Sequence, residues 1–522
     1  MIAAAGSGFD IILISGEPYA DHPLSAVGII ARVLDAEGYQ VGVIGRPDWT
    51  SDRNFLKLGK PRLFFGITSG SMDSLLVNYT PLKRERARDP HAPHHSGIPD
   101  RAVLVYSNIV KRLFPGTPIV IGGIEASLRR FAHYDYWENR IRRSLLLDSR
   151  ADILVYGPGE KQVIEIALRL DRKESLMGVP GTCVVSRELP PEFELLPSFE
   201  EVSRDAESFC VAQRLFSNRR RLAQAHAGRY VLQNPMPEYR SEDLDWIYGL
   251  PYSRKIPPDY PEFSMARFSV VTHRGCIGNC SFCSLALHQG DRIVSRSEAS
   301  ILEEIRRLTS HPEFKGYADD LGGPSANMYG MDCAAACADK ECLSCPKLDR
   351  SHSKLIRLME KARAVPGVKK VFVRSGIRYD LAMDSPAYLR DLCDHHISGI
   401  LKIAPEHVSP QVLRLMNKGR QPLEEFRRLF KHLSRDKRQR LKGYFMVAHP
   451  GTGEREAREL ALYLRKLTKE GESPVEGVQI FTPTPMTRST CMYHTGRDPL
   501  TGETVHVPRS FAEKKNQKHL LR

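Results

Sequence analysis

The stretch "HRGCIGNCSFCS", residues 273–284, places three cysteines within eight positions: Cys276, Cys280 and Cys283. It directly follows the strand-like run "ARFSVVTH" (266–273), its spacing is C-x3-C-x2-C, and Phe282 immediately precedes the last thiol. Thiolates are soft ligands that suit zinc or iron–sulfur clusters. A structural zinc closes a shell of four, so His273 or His288 would have to join the triplet. A four-iron cluster usually takes four cysteines. Held by three, it leaves one iron open to another ligand.

Around this stretch the chain alternates strand and helix patterns. Strands are expected at 266–272, about 315–321, 369–375, 398–404, 442–448 and 476–482. Helices are expected near 297–309, 352–364, 386–395, 408–417, 422–434 and 454–470. Six such units make an open α/β sheet or a partial (β/α)6 barrel, and barrels of this kind carry their chemistry at the C-terminal ends of strands. The triplet follows the first strand of the series.

The first ~200 residues show a second alternation. "FDIILIS", "QVGVIG", "RLFFGIT", "TPIVIGG" and "ADILVYGPGE" read as strands, several of them closing on glycine turns, with helices such as "RAVLVYSNIVKRLF" between them. This pattern predicts a doubly wound parallel sheet. The expected organisation is a Rossmann-like domain over 1–199, a helical and Pro-rich connector arm over 200–262, a barrel over 263–486 and an extension over 487–522. The connector reads as a charged helix (200–230) followed by "YGLPYSRKIPPDYPEF", with Trp246, Tyr248, Tyr252 and Tyr260 as packing aromatics. The basic, His-rich patch "LKRERARDPHAPHHSG" (82–97) reads as a mobile surface loop.

Composition narrows the class. Eleven cysteines, seven of them in two tight groups, point to metal binding in a reducing cytoplasm and not to disulfides. No run approaches the ~18 apolar residues of a membrane span, and the N-terminus lacks the basic start of a signal peptide. The formal charge of +14 is spread along the chain, which is compatible with a polyanionic partner such as RNA. The basic helical face "EEFRRLFKHLSRDKRQRLK" (424–442) is where an RNA would land. "HPGTGE" (449–454) lacks the Lys-Ser/Thr of a phosphate loop and reads as a barrel turn. The second group, "CAAACADKECLSC", holds Cys333, Cys337, Cys342 and Cys345. It suits an auxiliary cluster or a zinc staple, or it is a set of free thiols.

C-x3-C-x-aromatic-C after the first strand of a partial barrel resembles the signature of the radical S-adenosylmethionine (radical SAM) superfamily. The resemblance implies a [4Fe-4S] cluster on Cys276, Cys280 and Cys283, with SAM chelating the open iron. Reductive cleavage of SAM would give a 5'-deoxyadenosyl radical, and a donor such as flavodoxin or ferredoxin would supply the electron. By the same resemblance Phe282 would lie by the adenine, and Gly322 and Gly323 in "DDLGGPSAN" would receive the SAM amino group. Pro324 stands where many members are acidic. Ser375 and Arg378 in "FVRSGIRYD" would meet ribose or carboxylate, and Glu406 in "LKIAPEHVS" the ribose.

"IGGIEASLRRFAHYDYWENRIRRS", "DSRADILVYGPGE", "DLGGPSANMYGMDC" and "KIAPEHVSPQVLRLMNKG" resemble the YgiQ family of radical SAM proteins over nearly the whole chain. That family has no agreed substrate. The N-terminal domain is similar to cobalamin-binding domains, but "YADHPLSAVG" lacks D-x-H-x-x-G, so cobalamin is not expected, although a histidine-free corrinoid mode stays open. The domain is then a scaffold or binds substrate, with Asp21, His22 and Glu125 at its strand ends as candidates. The reading is a radical SAM enzyme of unknown substrate. The alternatives are an RNA- or protein-modifying methyl- or methylthio-transferase, a zinc-stabilised RNA-binding protein, and a simple electron carrier.

Overall fold

The computed structural model describes residues 8–86, 97–258, 261–333, 337, 341–419, 422–435 and 437–521. Residues 87–96 of the His-rich patch, Tyr260 and six residues of the second cysteine group lie outside them.

The N-terminal half is built on apolar, β-branched runs that are buried on both faces. Strands β1 (Ile11–Ser15), β2 (Val41–Gly45), β3 (Phe64–Thr68) and β4 (Ile119–Ile121) come first. A hairpin, β5 (His133–Asp135) and β6 (Arg140–Arg142), stands apart from the sheet. Next come β7 (Ile153–Val155), β8 (Thr182–Ser186), β9 (Glu194–Leu196), β10 (Leu222–His226) and β11 (Arg229–Gln233). They form one nine-stranded sheet in the order β2-β1-β3-β4-β7-β8-β11-β10-β9. The first five are parallel. Their order reverses at β1 and β3, and such a switch opens a crevice at the carboxyl ends of the strands.

Two expectations are corrected here. The sheet is not parallel throughout, because β8, β11 and β10 pair antiparallel. The charged stretch over 200–230 is also not all helix: the helix ends at Leu215, and β10 and β11 join the sheet. The hairpin turns on Ala227 and Gly228, both at positive φ (46° and 80°), as a tight two-residue loop requires. Pairing with β11 on one side and β9 on the other outweighs the helical propensity of "LAQAH". Of the connector aromatics, Tyr248 is buried but Trp246 faces outward.

The second half carries β12 (Ser269–Val271), β13 (His273–Arg274), β14 (Val294–Ser295), β15 (Tyr317–Ala318), β16 (Asp320–Gly322), β17 (Lys370–Val371), β18 (Ile400–Glu406), β19 (Arg440–Val447) and β20 (Val475–Ile480). β12–β16, β15–β17 and β18–β19–β20 pair parallel, and a single bridge from Ile377 to Ile403 links the last two pieces. The six expected strand positions thus form the arc of a partial barrel, with β13 and β14 as a short antiparallel flap beside the cysteines. Amphipathic helices such as Glu298–Thr309 and Ser353–Arg363 back it, burying Ile301, Ile305, Leu355 and Leu358.

Buried ion pairs hold the arm to the barrel. Arg254 of the arm and Arg296 of the barrel both donate to Glu304, and all three side chains are at most 7% exposed. Arg254 also caps the carbonyls of Arg267 and Ser269. Removing one member of such a group strands the others in a low-dielectric interior, at about 3–5 kcal/mol. Glu304→Ala is therefore expected to lower the urea midpoint by an equivalent amount, measured by circular dichroism.

Candidate functional site

The triplet loop is shaped by one glycine. Gly275 sits at φ +84°, and a Cβ there would lie 1.8 Å from the Arg292 carbonyl oxygen, so only glycine lets the chain leave β13 in this direction. Beyond it, Cys276 N–H donates to Gly290 O (3.1 Å) and Cys283 N–H to Cys280 O (3.0 Å). The outer side is fixed by Ser281 N–H to Met416 O (2.9 Å), Ser489 N–H to Ser281 O (2.9 Å) and Asn417 Nδ2 to Asn279 O (2.8 Å). Three cysteines adjacent in sequence are thereby held on one loop against the barrel.

Burial pushes the Cys276 thiol up and the Cys283 thiol up to about 12, and each also feels the charge of Cys280. Arg378 opposes this. Its Nη1 lies 3.9 Å from Cys280 Sγ, while Nε and Nη2 grip Asp380 (3.0 and 2.5 Å). Lys418 adds a second positive charge near Cys276. Buried thiols become thiolates only against cationic charge, which a metal cluster brings with it. The donor set therefore fits the cluster that the barrel implies.

A single zinc fits less well. His273 Nδ1 is engaged by Thr272 Oγ1 (2.8 Å) and His288 Nδ1 by Ser127 Oγ (3.0 Å). Among the described residues no three His, Cys, Asp or Glu side chains converge as one metal ion requires. A cubane is gripped at separate irons, so its ligands need not meet at a point.

The other expected positions lie around the triplet. A Cβ on Gly322 would stand 2.3 Å from Ser375 Oγ, and one on Gly323 2.5 Å from the His273 ring, so this pair gives its backbone a bare edge. Asp320 Oδ1 accepts from Arg374 N and Ser375 N (2.7 and 3.2 Å), which orients the turn after β17. Glu406 ends β18 beyond a register shift at φ +66°, a strained conformation for this residue. Burial pushes its carboxyl up, and Lys418 pulls the other way. Phe282 packs edge-on to His449 (6.2 Å between ring centres). Arg378, expected to meet the ribose or carboxylate of SAM, lies beside the thiols; neither its pairing with Asp380 nor the presence of Lys418 was signalled by the sequence.

In the second group, Cys342 and Cys345 flank a 3-10 turn, and the Cys342 thiol is raised by burial and by Asp291, Cys333, Cys337 and Cys345. Cys342 and Cys276 rest on one apolar cluster with Ile277 and Met331.

Two cavities open on this region. One, of ≈ 580 Å³, lies between the carboxyl ends of β1, β3, β4 and β7 and the barrel residues Val271, Gly323 and Ser375. The other, of ≈ 1830 Å³, reaches Cys283 and Glu406. Asp21, His22 and Glu125 line neither. Arg32 and Ser253 N hold Asp21, both His22 nitrogens meet backbone groups, and Glu125 accepts from Ser74 and Val103 N.

Family descriptions match along the chain: "Radical SAM N-terminal" over residues 1–272, "Radical SAM superfamily" over 270–464 and "Domain of unknown function (DUF3362)" over 476–522. A UPF0313 protein of Methanosarcina acetivorans is 43% identical over 98% of this chain and 76% of its own length. Another, from Methanocella arvoryzae, is 44% identical over 98% and 90%. This chain belongs to the UPF0313 (YgiQ) family of radical SAM proteins.

Its fold is shared with solved radical SAM enzymes. TsrM of Kitasatospora setae, a methyltransferase solved with cobalamin and a [4Fe-4S] cluster, aligns over 92% of this chain and 77% of its own (TM-score 0.54, 17% identity). OxsB, a cobalamin-dependent enzyme, aligns over 88% and 52% (TM-score 0.50, 13% identity). The UPF0313 chain is thus a radical SAM enzyme by family and fold, and the expectation against cobalamin has no support from its structural neighbours. Among the described residues no helix is long and apolar enough to cross a membrane.

Gly275→Ala is expected to reduce iron uptake on anaerobic reconstitution to well under half of the wild-type value, measured by colorimetric iron assay. An alanine there must move the Arg292 carbonyl and adopt a disfavoured φ, at about 1–2 kcal/mol for the dihedral alone.

Proposed function

We propose that this chain cleaves SAM reductively at a [4Fe-4S] cluster held by Cys276, Cys280 and Cys283, and that it holds a corrinoid in the smaller cavity to carry out methyl transfer. The observation that carries the corrinoid is the cavity itself. Its walls are apolar (Leu13, Val27, Ile30, Phe64, Val120 and Val163), and Gly122, Gly123, Gly157 and Gly159 clear its rim at the topological switch of the sheet. The apolar face of a flat macrocycle suits such a slot between two domains. Because His22 is consumed by Arg267 O and Leu24 N, no histidine of that loop would serve as its ligand.

When bound, the cluster supplies the electron that opens the sulfonium, and the corrinoid supplies methyl-carrying chemistry. The residues of the chain do the rest. Arg378 and Lys418 balance the thiolates. Gly322 and Gly323 expose backbone to the SAM amino group, and Glu406 accepts from ribose hydroxyls at the edge of the larger cavity. The hydrogen bonds to Met416 O and Ser281 O close the outer side of the loop to water.

Reconstituted enzyme with dithionite and SAM is expected to form 5'-deoxyadenosine, and Cys283→Ala to form none by liquid chromatography. A wild-type protein that forms none refutes the reading of the triplet.

The corrinoid has its own test. Gly122 lines the slot in extended backbone (φ −160°), and a Cβ there would meet nothing closer than 3.6 Å, so a side chain can start there without backbone strain and project into the slot. Gly122→Leu is expected to keep its thermal midpoint and its iron while hydroxocobalamin retained after gel filtration falls about tenfold. Wild-type protein that retains none would remove the corrinoid and leave SAM cleavage standing.

A further inference from the structure

The larger cavity, ≈ 1830 Å³, exceeds the roughly 300–1,000 Å³ of ordinary small-molecule sites. SAM at Cys283 and Glu406 would fill only one end of it. The remaining walls come from segments far apart in sequence, and both are basic. Lys83, Arg84 and Arg86 come from the N-terminal domain, and Lys515, Lys518 and His519 from the last helix, Phe511–His519. Glu85 and the buried Glu406 are the carboxylates that face the same space. Neither Lys515 nor Lys518 forms an ion pair among the described residues. Tyr444 and Phe282 supply aromatic surface toward the barrel.

This arrangement is built, because the last helix is fixed by its inner face. Lys514 Nζ donates to Tyr136 and Tyr493 hydroxyls (3.0 Å each). Gln517 accepts from Ala448 N and donates to Thr452 O (2.8 Å each). With 514 and 517 turned inward, 515 and 518 form the adjacent stripe, three apart on one face. The basic face expected at 424–442 differs: Arg427 is neutralised by Glu424, Glu470 and Glu472, and Lys437 by Asp394.

We infer that the larger cavity takes a single-stranded polynucleotide, its phosphates between the two basic walls and a base on the aromatic surface near Cys283 and Glu406. Basic tracks with stacking rings are how single strands are held without a duplex. The inference rests on the proposed reading of the triplet as the reaction centre, since it names the substrate class of that site.

The test is fluorescence anisotropy of labelled RNA and DNA strands of about 12 nucleotides on the anaerobically reconstituted full chain, with ATP and poly-glutamate as competitors. Strand binding should weaken linearly in log salt. Each phosphate contact removed should flatten the slope by about 0.7. Lys515→Glu with Lys518→Glu is expected to weaken binding about tenfold or more and flatten the slope by about 1.4. Arg84→Glu, on the opposite wall, should flatten it by about 0.7, and Lys431→Glu, on the helix Leu423–Leu433 outside the cavity, should change nothing. The tighter of RNA and DNA names the source of the strand.

Three results overturn the inference: ATP or poly-glutamate competing as well as a strand, Lys431→Glu acting like the cavity variants, or no strand binding at all. Each leaves 5'-deoxyadenosine formation untouched as a separate measurement, so loss of the substrate class and loss of the SAM reading are told apart.

Discussion

The rest of this structure depends on one buried ion pair, Arg274 with Glu160 (2.7 Å). Glu160 opens the helix Glu160–Asp171 at the carboxyl end of the N-terminal sheet, and Arg274 stands one residue before the glycine that launches the triplet loop. Tyr239 hydroxyl donates to the second carboxylate oxygen and Arg274 Nε to Tyr248 hydroxyl, so sheet, arm and barrel meet at this point. A desolvated pair of this kind is worth little as net stability. Its value lies in what separation would cost, because either partner alone would be an uncompensated buried charge. The two halves are therefore held in one arrangement beside the smaller cavity.

The same economy of charge governs the triplet. Burial favours neutral thiols, whereas metal binding needs thiolates, and the protein answers with two cations placed close but not in contact with each other's partners. Arg378 is kept in place by Asp380, and Lys418 by the Ala404 carbonyl. A carboxylate–guanidinium clamp holds the cation rigidly, so the sulfur at 3.9 Å meets a fixed dipole and not a mobile side chain. The strained backbone of Glu406 belongs to this picture, since a bulge at the end of β18 turns its side chain towards Cys283 and the larger cavity.

How much of this was readable from residues depends on the range of the interaction. The barrel arc was legible: "LKIAPE" is strand and "SKLIRLMEKAR" helix by local pattern alone, and both form as expected. So was the crowding of Cys276, Cys280 and Cys283, because one loop carries them. What failed was decided by distant partners. "LAQAH" is a strand because β9 and β11 pair on either side of it, and Arg427 is neutral ground because Glu470 and Glu472 return 43 and 45 positions later. Asp21 and His22 look like free loop residues until Arg32, Ser253 and Arg267 are seen around them.

The C-terminal segment is the last step of this argument. Its helix contributes a wall of the larger cavity, and Lys514 is what holds that wall in place. The lysine lies over the rings of Tyr136 and Tyr493, from the β5–β6 hairpin region and the helix Arg488–Thr495, and burial together with Lys83 draws its pKa down to about 8. Tyr136 belongs to the stretch matched as radical SAM N-terminal, the cavity's Cys283 and Glu406 to the superfamily barrel, and Lys514 to the domain of unknown function. A cation shared by two aromatic rings is directional and loses most of its value if either ring withdraws. The cavity next to the triplet thus exists only when all three matched segments are docked. The C-terminal segment accordingly supplies one wall of the cavity that reaches Cys283 and Glu406.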